Sequence, residues 1–113
     1  MVEQIPPNAL AAWFAAAPAG SAPVVLDVRE PWEVARASVA PDGFTLRTLP
    51  MAGVPTGLAT LAPDQSIACL CHHGARSQQV AMFLERQGFT RVANIAGGID
   101  AWSLQCDPTV PRY

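Results

Sequence analysis

The sequence predicts an α/β fold, a parallel β-sheet covered by helices on both faces. Three observations predict it. The runs Val24-Val25-Leu26-Asp27-Val28 and Ser66–Leu70 are almost continuously apolar, as strands buried on both faces are. Stretches with helical spacing alternate with such runs along the chain, the pattern of a parallel sheet. Finally, 113 residues of which 50% are hydrophobic suffice for one conventional core without disulfide staples. The expected organisation is one domain over residues 1–113.

Taken in order, Leu10, Trp13, Phe14 and Ala17 fall on one face of an amphipathic helix. Asn8 is its expected cap, and Pro18-Ala19-Gly20-Ser21 its end. The apolar stretch around this helix resembles a signal peptide, but no basic residue precedes it and Pro6-Pro7 interrupt the approach, so a core helix is expected. Val24 to Val28 is a strand, and a short helix begins near Pro31, because proline suits a first turn. Residues 38–43 read as a loop, Phe44 to Leu49 as a weaker strand, and 54–61 as one or two helical turns. Ser66 to Leu70 is the next buried strand. Ser77 to Gln87 is the clearest helix, with Val80, Phe83, Leu84 and Gln87 in phase and Gly88 as its stop. Arg91 to Ile95 is a strand, Gly97-Gly98 turn into a helix through Trp102, and the tail from Cys106 to Tyr113 is expected to be extended.

Composition excludes several functions. The net charge is -2, the seven basic residues are all arginines, and no basic run exists, so nucleic-acid binding has no electrostatic footprint. No apolar run approaches the ~20 residues of a membrane span. Three cysteines, Cys69, Cys71 and Cys106, make an odd count that fits free thiols and a reducing compartment, hence a cytoplasmic protein.

In a parallel sheet, ligands bind beyond the carboxyl ends of the strands. Two stretches lie there, Asp27 to Glu30 and Cys71 to Arg76. In the second, a buried strand ends on Cys71 and a helix starts near Ser77, so His72, His73, Gly74, Ala75 and Arg76 form a tight loop at a helix N-terminus. The unsatisfied N–H groups of such a loop and first turn make a concave anion site. A thiol at its base is a nucleophile whose charged form collects those hydrogen bonds. Gly74 permits a left-handed backbone, and Arg76 adds a positive charge at a helix start, where a cation is out of place unless it meets an anion. Such a cradle suits sulfur transfer through a persulfide in two displacements, with Cys71 as nucleophile and His72, His73, Gly74, Ala75, Arg76 and Ser77 as the substrate-binding loop.

The stretches Leu26-Asp27-Val28-Arg29-Glu30-Pro31-Trp32-Glu33, Cys71-His72-His73-Gly74-Ala75-Arg76-Ser77, Asn94-Ile95-Ala96-Gly97-Gly98-Ile99-Asp100-Ala101-Trp102 and Pro111-Arg112-Tyr113 occur in the order and spacing of one family. Over nearly its whole length the chain resembles a rhodanese-family domain. The resemblance implies a three-layer α/β/α sandwich with a five-stranded, mainly parallel sheet, a short first strand near Ile5, and a cysteine that carries sulfur without a cofactor. It also implies a small-molecule donor such as thiosulfate, and as acceptor cyanide, a thiol or a protein partner. The chain departs from the family at Ala37-Ser38-Val39-Ala40-Pro41, where a Gly-His-Ile-Pro-like stretch often stands.

The remaining residues have ordinary expectations. Cys69 shares a sheet face with Cys71 and should be core. Asp27 and Arg29 should form a structural ion pair, Glu33 a helix surface charge, and Trp32 and Trp102 packing residues. Metal binding is not expected, because Cys69, Cys71, His72 and His73 are too closely spaced to converge on one ion. Two other functions stay open: a non-catalytic interaction module, and a cysteine-dependent phosphatase or arsenate reductase. The latter needs Cys-x5-Arg, whereas Cys71 to Arg76 is one residue shorter.

Overall fold

A computed structural model describes residues 2–113. Its five strands are β1 (Glu3–Ile5), β2 (Pro23–Asp27), β3 (Thr45–Thr48), β4 (Ser66–Leu70) and β5 (Arg91–Ile95). The helices are α1 (Leu10–Ala15), α2 (Pro31–Arg36), α3 (Val54–Gly57, between single 3-10 turns), α4 (Ala75–Arg86) and α5 (Gly98–Gln105). The sheet order is β1-β5-β4-β2-β3, and all four pairings are parallel.

Alternation along the strands splits the core in two. Val24, Leu26, Ile67, Cys69 and Val92 face one way and pack with Val54, Val80, Ala81 and Leu84 of α3 and α4. Val25, Ala68, Leu70, Ala93 and Ile95 face the other way, onto Leu10 and Trp13 of α1 and Ile99 and Trp102 of α5. Both faces are therefore covered, which is why β2 and β4 lack polar alternation. No helix among the described residues is long and apolar enough to cross a membrane.

From β2 the chain proceeds outward to β3, and from β4 in the opposite direction to β5. The crevice beyond the ends of β2 and β4 is thus the switch point of the sheet, where open α/β sheets bind ligands. Both stretches singled out above leave the sheet here.

Several expectations are corrected. Asn8 does not cap α1; it lies inside the 3-10 turn Pro7–Ala9, where Pro7 already occupies the first turn. β3 omits Phe44 and Leu49, α4 starts two residues before Ser77, and α5 continues past Trp102 to Gln105. The tail is not simply extended. Asp107 turns it by accepting from the N–H and hydroxyl of Thr109, and Val110 is buried. Trp32 is not a packing residue, being 63% exposed, whereas Trp102 is. Glu33 is not a surface charge; it is buried, for a reason that lies in the site.

Candidate active site at the ends of β2 and β4

Cys71 follows β4 directly and is 1% exposed. Its Sγ accepts hydrogen bonds from the Gly74 N–H at 3.0 Å and lies 3.2 Å from the Ser77 hydroxyl. The loop can curl back onto the sulfur because Gly74 has φ 110°, closed to most L side chains. Ser77 also contacts the Asn94 side-chain oxygen at 2.5 Å. The Asn94 amide nitrogen donates to Gly74 O at 3.1 Å and to Gln4 Oε1 at 2.9 Å, so Asn94 ties the middle of the loop and its exit at Ser77 to β5.

The loop's carbonyls are also used. Ile99 N–H donates to Cys71 O at 2.9 Å and Asp100 N–H to His72 O at 3.2 Å, so the loop satisfies the first turn of α5. The approach is so close that a Cβ on Gly98 would stand 2.5 Å from Cys71 O. Gly98 is therefore a close-contact residue and not only part of a turn.

Side chains from α2 and the tail close the other side. Arg76 pairs bidentately with Glu33, Nη1 to Oε1 at 2.6 Å and Nη2 to Oε2 at 2.9 Å. Arg76 is 36% exposed and Glu33 4%. Glu33 also accepts from the Tyr113 hydroxyl at 2.6 Å and the Glu30 N–H at 3.1 Å, the latter completing a capping box on α2. Arg76, then Tyr113 and the Glu30 N–H, outweigh burial and hold the Glu33 carboxyl down at about 2. The anion that explains a cation at the start of α4 is thus supplied by the chain itself.

Arg29 is fully enclosed. It binds both Asp27 oxygens and the carbonyls of Ala37 and Glu33, and donates to Tyr113 OH at 3.0 Å. The structural pair expected of Asp27 and Arg29 is present, with the two side chains buried together. The Ala37 carbonyl takes part where the sequence departs from the family, so that stretch keeps a backbone role.

Tyr113 lies flat on His72, ring centroids 3.9 Å apart, and His72 stacks on His73 at the same separation. Burial, then the neighbouring His73, pushes the His72 imidazole below its usual range. His73 and Ala75 are exposed. Cys69 is buried behind Cys71, and desolvation drives its thiol far above the usual range, leaving it inert. Cys106 is exposed and remote in the chain.

The structure thus gathers Cys71, His72, Gly74, Arg76 and Ser77 with Glu33, Asn94, Gly98 and Tyr113, none of which the sequence placed at the site. Only the Pro111-Arg112-Tyr113 ending carried a signal for Tyr113. Fewer amides meet the sulfur than expected: among the described residues Gly74 alone donates a loop N–H to Sγ.

The fold and the site define an α/β sandwich that presents a strand-end thiol in a helix-capping loop at its switch point. Comparison narrows the class. The rhodanese-like domain family matches residues 10–105. A sulfurtransferase of Allochromatium vinosum is 36% identical over 87 residues, covering 77% of this chain and 78% of that protein. The rhodanese-like/PpiC domain-containing protein 12, chloroplastic, of Arabidopsis thaliana is 44% identical over 91 residues; the match covers 79% of this chain but only 30% of that longer protein. A solved rhodanese-related protein of Thermoplasma volcanium superposes with a TM-score of 0.76 at 28% identity, covering 98% of this chain and 99% of that one. The chain belongs to the rhodanese-like domain family. Relatives named sulfurtransferases support sulfur-transfer chemistry in general.

Proposed function

We propose that this protein moves a sulfane sulfur from a donor such as thiosulfate to a thiophilic acceptor through a persulfide on Cys71. The observation that carries the reading is a lone thiol at the strand end with Gly74 N–H and Ser77 OH beside its sulfur. In the first step the Cys71 thiolate attacks the outer sulfur of the donor, a new S–S bond forms, and sulfite leaves with the electrons of the old bond. In the second, an acceptor nucleophile takes the terminal sulfur and the Cys71 thiolate returns. Gly74, Ser77 and the open first-turn amides of α4 hold the anionic sulfur, while His72 and His73 wall the loop. Cyanide, a small thiol and a protein thiol all fit the second step. No cofactor enters either step. A reducing setting such as the cytoplasm keeps the cysteine free between turnovers.

The phosphatase reading is disfavoured by a specific contact. A Cys-loop phosphatase turns its arginine onto the bound oxyanion, whereas both terminal nitrogens of Arg76 are spent on Glu33. Brief exposure to thiosulfate followed by intact mass measurement tests the proposal. The expected gain is about 32 Da, lost on adding cyanide and absent in Cys71→Ser but present in Cys69→Ser. Sulfur gain that survives Cys71→Ser would reject Cys71 as the carrier.

A further inference from the structure

The charges around the Cys71 loop are closed in pairs. Arg76 is bidentate to Glu33, Arg29 is enclosed with Asp27, and Arg112 pairs with Asp100 at 2.8 Å. The Arg76 pair is the one built on the Cys71 loop itself, since Arg76 stands directly before Ser77, whose hydroxyl lies 3.2 Å from the Cys71 sulfur. Glu33 does not meet Arg76 by chance of a surface rotamer. Its carboxylate is buried, anchored on the Tyr113 hydroxyl and the Glu30 N–H, and carried on a helix whose first turn it caps. Beside the pair, the rings of Tyr113, His72 and His73 form a stack that begins on the loop, with the exposed Trp32 edge-on to Tyr113 at 6.2 Å.

Charges closed in this way favour thiosulfate less than a donor of lower charge. That donor carries two negative charges, and the chain it approaches carries a net charge of -2. A planar guanidinium is the natural partner of its oxygens, but the forked face of this one is already occupied. We infer that Glu33 is a specificity-determining residue: by holding Arg76 in a closed, neutral pair, it sets the site for sulfur donors of low charge, organic persulfides or thiosulfonates, over dianionic thiosulfate. This rests on the sulfur-transfer reading of Cys71. For a persulfide R–S–SH, the Cys71 thiolate attacks the outer sulfur, the donor's S–S bond breaks with R–S leaving as thiolate, and the proton stays on the new persulfide or passes to that thiolate. For a thiosulfonate, the same attack releases a sulfinate.

Methanethiosulfonate and thiosulfate make the comparison, because they present the same sulfur and differ by one charge. The readout is the ratio of kcat/KM for thiosulfate to that for methanethiosulfonate, with cyanide as acceptor. Glu33→Gln frees a cation without changing side-chain size and should raise the ratio by about tenfold, the order expected of one unit charge across a partly solvated gap. Arg76→Gln, which leaves an unopposed carboxylate, should lower it. The double variant should return it close to the starting value. Tyr113→Phe keeps both charges and should leave the ratio within about twofold, a shift too small for a unit charge. Arg76→Gln and the double variant decide the matter even if Glu33→Gln folds poorly. A ratio that moves the same way in both single variants, that is unchanged in Glu33→Gln, or that rises as much in Tyr113→Phe overturns the inference while leaving a sulfur-loaded Cys71 in place. Failure of both donors to load Cys71 would instead sink the sulfur-transfer reading, and this inference with it.

Discussion

The stretches after β2 and after β4 leave the sheet at the same end and are held in opposite ways. After β2, side chains hold the chain: Arg29, 1% exposed, gathers Asp27, two backbone carbonyls and the Tyr113 hydroxyl. After β4, the backbone holds it: Gly74 N–H turns onto Cys71 Sγ, and the carbonyls of Cys71 and His72 receive α5. The first arrangement makes a rigid wall out of charge. The second surrounds the sulfur with backbone and hydroxyl groups. Glu33 joins the two, because its backbone carbonyl serves Arg29 and its carboxylate serves Arg76.

This contrast sets the largest expected effect. Arg29→Leu leaves the Asp27 carboxylate buried and unpaired, and should cost about 3–5 kcal/mol in urea unfolding. Arg76→Leu removes a guanidinium that water already reaches, while Glu33 keeps the Tyr113 hydroxyl and the Glu30 N–H, and should cost about 1–2 kcal/mol. Equal losses would mean that the two stretches are not held in different ways.

A smaller effect follows from pH. Glu33 is held at about 2, below its usual 4.5, by Arg76 first and then by Tyr113 and the Glu30 N–H. A depressed carboxyl stabilises the folded state only when ionised. Its contribution is therefore complete above pH 4.5 and is lost as pH falls through about 2. Discounted for the exposure of Arg76, the loss is about 1–2 kcal/mol. Glu33→Gln should remove that slope from the stability profile between those limits. A slope that persists unchanged in Glu33→Gln would assign it to other carboxylates.

The two stretches also differ in how far the sequence exposes them. Periodicity fixes what repeats: β4 and β5 fall on the expected residues, and Cys71 follows from the end of a buried run. Gly74 is legible because a tight loop requires a left-handed residue. The side-chain wall is not legible in this way. Arg29 and Tyr113 are 84 positions apart and Arg76 and Glu33 43 apart, so no spacing rule relates them. Glu33 reads as a surface charge because its position on a short helix shows nothing of the arginine that covers it. Gly98 reads as a turn residue because the carbonyl it must avoid comes from another loop. The four matched stretches carry the family, while these contacts between them carry the site.

The smallest effect concerns Trp32, on the wall after β2, set against Trp102 in the core. Residue type alone makes both packing residues, yet Trp32 is 63% exposed and Trp102 8%. Trp102 meets Phe44 edge-on at 6.0 Å between α5 and the sheet, so Trp102→Ala opens a cavity and should cost about 3–5 kcal/mol. Trp32 has an edge contact with Tyr113 at 6.2 Å and water over most of its remaining surface. A buried aromatic pair contributes about 0.5–1.5 kcal/mol beyond its area, and one this exposed belongs at the lower end. Trp32→Ala should therefore change the unfolding free energy by about 0.5 kcal/mol or less. The phenol of Tyr113 stays anchored on Glu33 and Arg29, so its ring should remain on His72 when Trp32 is gone. The rate of sulfur loading at Cys71 then stays close to that of the unmodified protein. A loss near that of Trp102→Ala, or a collapse of the loading rate, would show that the stretch after β2 holds the tail through Trp32 and not through its buried charges.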